Sequence, residues 1–149
     1  KVAPPLRTDA DRKALIQGLR DGVITCIATD HAPHTIEDKE KDIKHAPCGM
    51  IGLESAFGLS NTTLQTEGFT IQDVIGYLTA GPASVLKWDI NAFEVGIPAE
   101  ITIIDESSNW EMSTLHIYSK SKNSPMLGME FKGEVVMTIC GDYAFGKLD

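Results

Sequence analysis

Asp30, His31 and His34 stand together in Thr29-Asp30-His31-Ala32-Pro33-His34, the stretch whose residue types offer the most chemistry. A carboxylate so placed can bind a divalent metal through one oxygen. Through the other it can shuttle a proton to and from metal-bound water, since zinc brings that water's pKa to about 7. His34 lies beyond the rigid Pro33 and can offer an N–H donor or a positive charge to an anionic substrate group. An Asp at a strand end can equally cap the loop that follows. His31 directly follows Asp30, so its side chain points away, as a supporting group rather than a ligand. His45 and His116 have no local partner pattern and read as ordinary polar residues. Cys26 reads as a small core residue.

The elements around this stretch have an α/β rhythm. Thr8 or Asp9 can cap a helix over residues 9–21, in which Leu15, Ile16 and Leu19 recur at helical spacing and Gly22 supplies a left-handed stop. Residues 23–28, Val-Ile-Thr-Cys-Ile-Ala, then read as a strand buried on both faces. Asp30 falls at the C-terminal mouth of that strand, where α/β barrels carry catalytic residues. Residues 29–52 hold Pro33, Pro47, Gly49, Gly52 and a charged insert, and read as a long loop, of the kind that is usually functional or disordered. A helix is expected over 53–65, and a second from Thr70 with Asp73 reaching back to the cap. Gly81-Pro82 should interrupt, with a short helical turn over 83–87. Near Phe93 the class changes: residues 99–105 and 134–139 read as strands, the latter entering a hairpin at Gly141-Asp142.

Composition narrows the function. The chain of 149 residues, 42% hydrophobic and 23% charged, suits a globular domain. A formal charge of -8, with 13 scattered basic residues, opposes a nucleic-acid partner and leaves small polar substrates. No apolar run approaches the ~20 residues that span a bilayer, so no membrane partner is expected. Cys26, Cys48 and Cys140 are too far apart for a metal knuckle or a disulfide framework, and reduced thiols fit a cytoplasmic location. There is no Gly-rich phosphate loop. The opening Lys-Val-Ala-Pro-Pro-Leu-Arg, without Met, reads as the end of a strand, so position 1 is not expected to be a natural start.

Several stretches resemble dihydroorotases of the bacterial class I type, in the family's order. They are residues 1–7, Ala28-Thr29-Asp30-His31-Ala32-Pro33-His34, Gly49-Met50-Ile51-Gly52-Leu53-Glu54, Ser119-Lys120-Ser121-Lys122-Asn123-Ser124-Pro125 and Lys132-Gly133-Glu134-Val135-Val136. The resemblance covers essentially the whole chain. Hydantoinases and allantoinases share the fold but usually differ after the Asp-His pair, so Ala32-Pro33-His34 points to dihydroorotase within the amidohydrolase superfamily.

The resemblance implies an α/β fold: the C-terminal part of a metal-dependent (β/α)8 TIM barrel over residues 1–92, then β-strands of a small β-sandwich domain over 93–149. It implies Asp30 as zinc-bound general base and acid, His34 as the holder of the substrate carboxylate, and Cys48 and Gly49 as backbone substrate contacts. The remaining Zn2+ ligands would lie upstream, so the chain alone is expected to be inactive. The implied reaction interconverts dihydroorotate and N-carbamoyl-L-aspartate in pyrimidine biosynthesis. The family also offers homodimers and complexes with aspartate transcarbamoylase. At position 3 the family pattern has a substrate-binding Asn where this chain has Ala3. That departure supports an alternative, a non-catalytic scaffold partner of aspartate transcarbamoylase; retention of Asp30 and His34 opposes it.

Overall fold

The computed structural model describes residues 1–90 and 94–146. Helix α1 (Asp9–Arg20) begins at Thr8, whose hydroxyl accepts from the Asp11 N–H while the Asp11 carboxylate accepts from the Thr8 N–H. This reciprocal pair satisfies amides that the first helical turn leaves without partners. The helix buries Ile16 and Leu19 and stops at Gly22, at φ +69.

Residues 23–28 depart from the buried strand expected of them. They join no ladder, and Val23 is 80% exposed. The Ile24 N–H donates to the Gly18 carbonyl and the Ile27 N–H to the Tyr77 carbonyl, each at 2.9 Å. β-branched residues settle into a strand only where neighbouring strands take up their backbone groups. Among the described residues no strand pairs with this segment. The parallel sheet is likewise not found among them, where the one parallel pairing is an isolated bridge, His31 with Met50.

The long loop over 29–52 contains a short helix that its composition concealed, α2 (Ile36–Lys39), capped by the Thr35 hydroxyl. Helix α3 (Ala56–Thr66) begins later than residue 53, after a turn. Helix α4 (Ile71–Leu78) repeats the capping box through Thr70 and Asp73. Gly81-Pro82 does not interrupt; both residues belong to α5 (Ala80–Leu86). Pro82 lies in the first turn, where a missing N–H costs nothing. Gly81 lets α5 close on residues 23–28, since a Cβ there would stand 2.0 Å from the Thr25 carbonyl oxygen.

The C-terminal stretch forms an antiparallel sheet in the order β1 (Glu100–Glu111), β2 (Glu130–Cys140), β3 (Tyr143–Gly146). Cys140 pairs with Tyr143, so Gly141-Asp142 is a two-residue hairpin loop, with Gly141 at φ +57. β1 outruns its sequence signal because the register shifts between Ile103 and Ile104 and between Asp105 and Asn109, which spoils the alternation that marks a strand.

Helix α3 contributes to both hydrophobic clusters. Leu64 joins Ile16, Leu19, Phe69 and Val74, while Leu59 packs against Ile51, Met112, Ile117 and Phe131. Fully burying such side chains contributes about 1.5–3 kcal/mol each. Gly58 admits the Phe131 ring, which a Cβ would meet at 3.0 Å. The buried Asn61 donates to the Lys132 carbonyl at 2.7 Å and accepts from Gln65 at 2.9 Å. The boundary expected between 92 and 93 lies outside the described residues.

Candidate active site

The site is built on the loop that follows residues 23–28. Asp30 is at φ +48, in the left-handed region, which Asp tolerates better than most side chains. It is exposed, and no hydrogen bond or ion pair among the described residues engages its carboxylate. Asp30 therefore ends an irregular segment rather than the buried strand its sequence suggested.

His31 turns into the protein. Its Nδ1 accepts from the N–H groups of Gly52 and Leu53, both at 3.1 Å. A nitrogen that accepts twice carries no proton, so the ring is neutral with its hydrogen on Nε2. Nε2–H then donates to the Ser119 hydroxyl at 3.2 Å, and that hydroxyl donates in turn to Glu54 Oε1. The Ser119 N–H donates to the same oxygen at 2.8 Å. Nδ1 also lies 3.9 Å from Glu54 Oε2, but this is no ion pair, because Nδ1 has no proton to share. Burial pushes the Glu54 carboxyl up, and the hydrogen bonds from the Ser119 side chain and backbone outweigh it, holding the group below the usual glutamate range. Glu54 Oε2 is buried with no partner among the described residues.

His34 is seated differently. Its Nε2 is 2.9 Å from the Cys48 carbonyl oxygen, so Nε2–H donates there and Nδ1 is the ring nitrogen left over. Gly49 makes this approach feasible: at φ +128, a Cβ on it would stand 2.5 Å from Ala32 Cβ and 3.0 Å from His34 Nε2. The structure thus brings His34, Cys48 and Gly49 together. The backbone groups of Gly49 already have partners, its N–H donating to the Lys1 carbonyl at 2.9 Å and its carbonyl accepting from Lys39 Nζ at 2.8 Å. An open cleft of about 560 Å³ lies beside His34, bordered by Pro33, Thr35, Asp38, Lys120 and Lys122.

One segment is tied to this loop from far along the chain. Ser119, Ser121 and Asn123 reach it through side-chain hydrogen bonds. None was singled out from residue chemistry; the only signal was the run of residues 119–125 as a resemblance motif. Glu54 had the same status. Cys26 is partly buried, His45 is an exposed partner of Asp42, and His116 bonds Ser113 within its own turn.

A metal is a matter of donor sets. Among the described residues no group of three or more His, Cys, Asp or Glu side chains comes together that could hold an ion. Asp30, exposed and unengaged, suits a single oxygen ligand of such a site.

No helix among the described residues is long and apolar enough to cross a membrane. The Amidohydrolase family profile matches residues 3–144. A dihydroorotase of Halalkalibacterium halodurans is 43% identical over 149 residues, covering 99% of this chain and 34% of that protein. One of Anaplasma phagocytophilum is 40% identical over 139 residues, covering 93% and 31%. The chain therefore spans about a third of the length of the curated relatives it matches. Among solved structures, an L-hydantoinase (dihydropyrimidinase) from Arthrobacter aurescens aligns with a TM-score of 0.81 at 24% identity over 99% of this chain and 34% of its own. A D-hydantoinase aligns at 0.84 and 18% identity over 98% and 33%. These structures share its fold, the relatives named dihydroorotase match it over 93–99% of its length at 40–43% identity, and the chain belongs to the amidohydrolase family.

Proposed function

We propose that the chain is the C-terminal third of a dihydroorotase, a zinc-dependent cyclic amidohydrolase that interconverts dihydroorotate and N-carbamoyl-L-aspartate. Residues 1–92 would complete a (β/α)8 barrel, and 93–149 would supply strands of a β-sandwich domain. The observation that carries this reading is the pairing on one loop of an unengaged, exposed Asp30 with a His34 ring fixed on the Cys48 carbonyl.

Asp30 would be this chain's ligand to zinc, the other ligands coming from the rest of the protein. Zinc, when bound, supplies Lewis acidity that polarises the scissile carbonyl and acidifies water. Asp30 accepts the proton of the attacking water on a carboxylate oxygen and returns it to the ring nitrogen that leaves. His34, its Nε2–H seated on the Cys48 carbonyl, turns Nδ1 toward the substrate carboxylate and would donate to it as the imidazolium, which carries a hydrogen on both ring nitrogens, with Cys48 and Gly49 lining the same wall. His31 holds the neighbouring peptide in place through Gly52, Leu53 and Ser119. Cytoplasmic action on these small molecules follows from the same reading.

A non-catalytic scaffold partner of aspartate transcarbamoylase is the second reading, favoured by Ala3, which stands where the resembling family has Asn. The test is to incubate the complete, zinc-loaded protein with dihydroorotate and follow its opening to N-carbamoyl-L-aspartate. Turnover supports the enzyme; a fully metallated protein without turnover supports the scaffold.

A further inference from the structure

Asn123 is distant in sequence from the loop that carries Asp30 and His34, yet its side chain joins both halves of that loop. Nδ2 donates to the Ala32 carbonyl at 3.2 Å and to the Gly49 carbonyl at 3.3 Å. Oδ1 accepts from the His34 N–H at 3.4 Å and from the Ser121 hydroxyl. The Asn123 backbone carbonyl accepts from the Ile51 N–H at 3.1 Å. The partners fix the amide's orientation: only an NH2 can face two carbonyls, and only an oxygen can face an N–H. Of the twenty side chains, Asn supplies two donors and an acceptor at this reach. Asp would set a charged oxygen against two carbonyl oxygens.

The consequence concerns His34. Asn123 holds backbone on both sides of Pro33 and, on the facing strand of the loop, Gly49, next to the Cys48 carbonyl that seats the His34 ring. The Ser121 hydroxyl also lies against the His34 carbonyl, sharing its single proton between that oxygen and Asn123 Oδ1. We propose that Asn123 is a positioning residue for substrate binding: by clamping Ala32 and His34 to Gly49, it sets the distance at which the His34 ring meets a substrate carboxylate. The role in binding rests on the dihydroorotase reading; the clamp itself does not.

The test uses the complete protein, with Asn123→Ala, Asn123→Asp, His34→Ala and the double variant Asn123→Ala/His34→Ala. Two measurements are made: steady-state kinetics with dihydroorotate, and amide hydrogen exchange without substrate. Asn123→Ala should raise KM about tenfold with kcat changed less than about threefold, the signature of lost binding. Asn123→Asp should be at least as impaired despite its equal size. The double variant should have the KM of His34→Ala, because a residue acting through His34 adds nothing once that ring is gone. Exchange should quicken in residues 31–35 and 48–52 and stay unchanged in α1 and α4. A wild-type KM in Asn123→Asp, KM effects that multiply in the double variant, or exchange that quickens equally throughout would each overturn the proposal. If no form turns over dihydroorotate while exchange still quickens locally, the dihydroorotase reading fails and the clamp stands.

Discussion

The His31 imidazole and the Ser119 hydroxyl meet at 3.2 Å across 88 residues of sequence, and through that contact a neutral ring is connected to the partly buried carboxylate of Glu54. Ser119→Ala removes the hydroxyl that receives from His31 and donates to Glu54. It leaves Glu54 Oε1 with the Ser119 N–H. Losing a donor to such a carboxylate costs about 1–3 kcal/mol. Urea denaturation of the complete protein should show that loss as a lower midpoint with an unchanged slope; an unchanged midpoint would mean the chain of hydrogen bonds contributes nothing to stability.

The same network predicts a pH dependence. Glu54 is held below its ordinary range in the folded state. The unfolded chain, with a glutamate value near 4.3, binds more protons over the interval between the two values. Its stabilising contribution is therefore fully present above about pH 4.3 and is lost as pH falls through the depressed folded value. Asp9, Asp11, Asp38, Asp42, Asp73 and Asp105 are lowered as well, so the wild-type acid limb is composite. The difference between wild type and Glu54→Gln isolates one group. It should be constant at neutral pH and shrink on acidification; a constant difference down to the acid transition would exclude Glu54.

Gly49→Ala should be costly for two independent reasons. Its φ of +128 disfavours any side chain, and the added carbon would press on Ala32 and the His34 ring. Strain of this kind costs about 1–3 kcal/mol. A crystal structure of the variant should show the His34 ring displaced from Cys48, and dihydroorotate should bind more weakly. An undisturbed ring with normal affinity would remove Gly49 from the site.

The 149-residue chain by itself should bind zinc weakly and show no turnover, because Asp30 has no ligand cluster around it among the described residues. Metal analysis after gel filtration checks this. Stoichiometric zinc with turnover would show that the chain builds a cage of its own.

Local chemistry was legible in the sequence and long-range chemistry was not. Thr70 with Asp73 and Gly141-Asp142 act within a few residues, so spacing alone announces them; for the first helix it narrows the cap to Thr8 or Asp9, and the structure settles on Thr8, paired with Asp11. Residues 23–28 have strand composition, but a strand is defined by its partners, and none pairs with them among the described residues. At the site, Asp30 and His34 stand out because one carboxylate and two imidazoles fall within residues 30–34 of a chain that has only 4 His. Asn123, Ser119 and Glu54 are common polar residues that matter only through where the fold brings them. Adjacency in sequence turns His31 away from Asp30, and its bonds to Gly52, Leu53 and Ser119 supply what it turns toward.

Asp30→Asn in the complete protein is the most direct test of the mechanism. Asn keeps the shape of Asp but cannot take a proton from water at neutral pH, so the loss falls on kcat. His34→Ala should instead chiefly raise KM. Measured alongside zinc content, Asp30→Asn should lose turnover by at least about a hundredfold, in line with removal of a general base. If the variant keeps its full metal complement and most of its turnover of dihydroorotate, Asp30 is not the base and the mechanism is wrong.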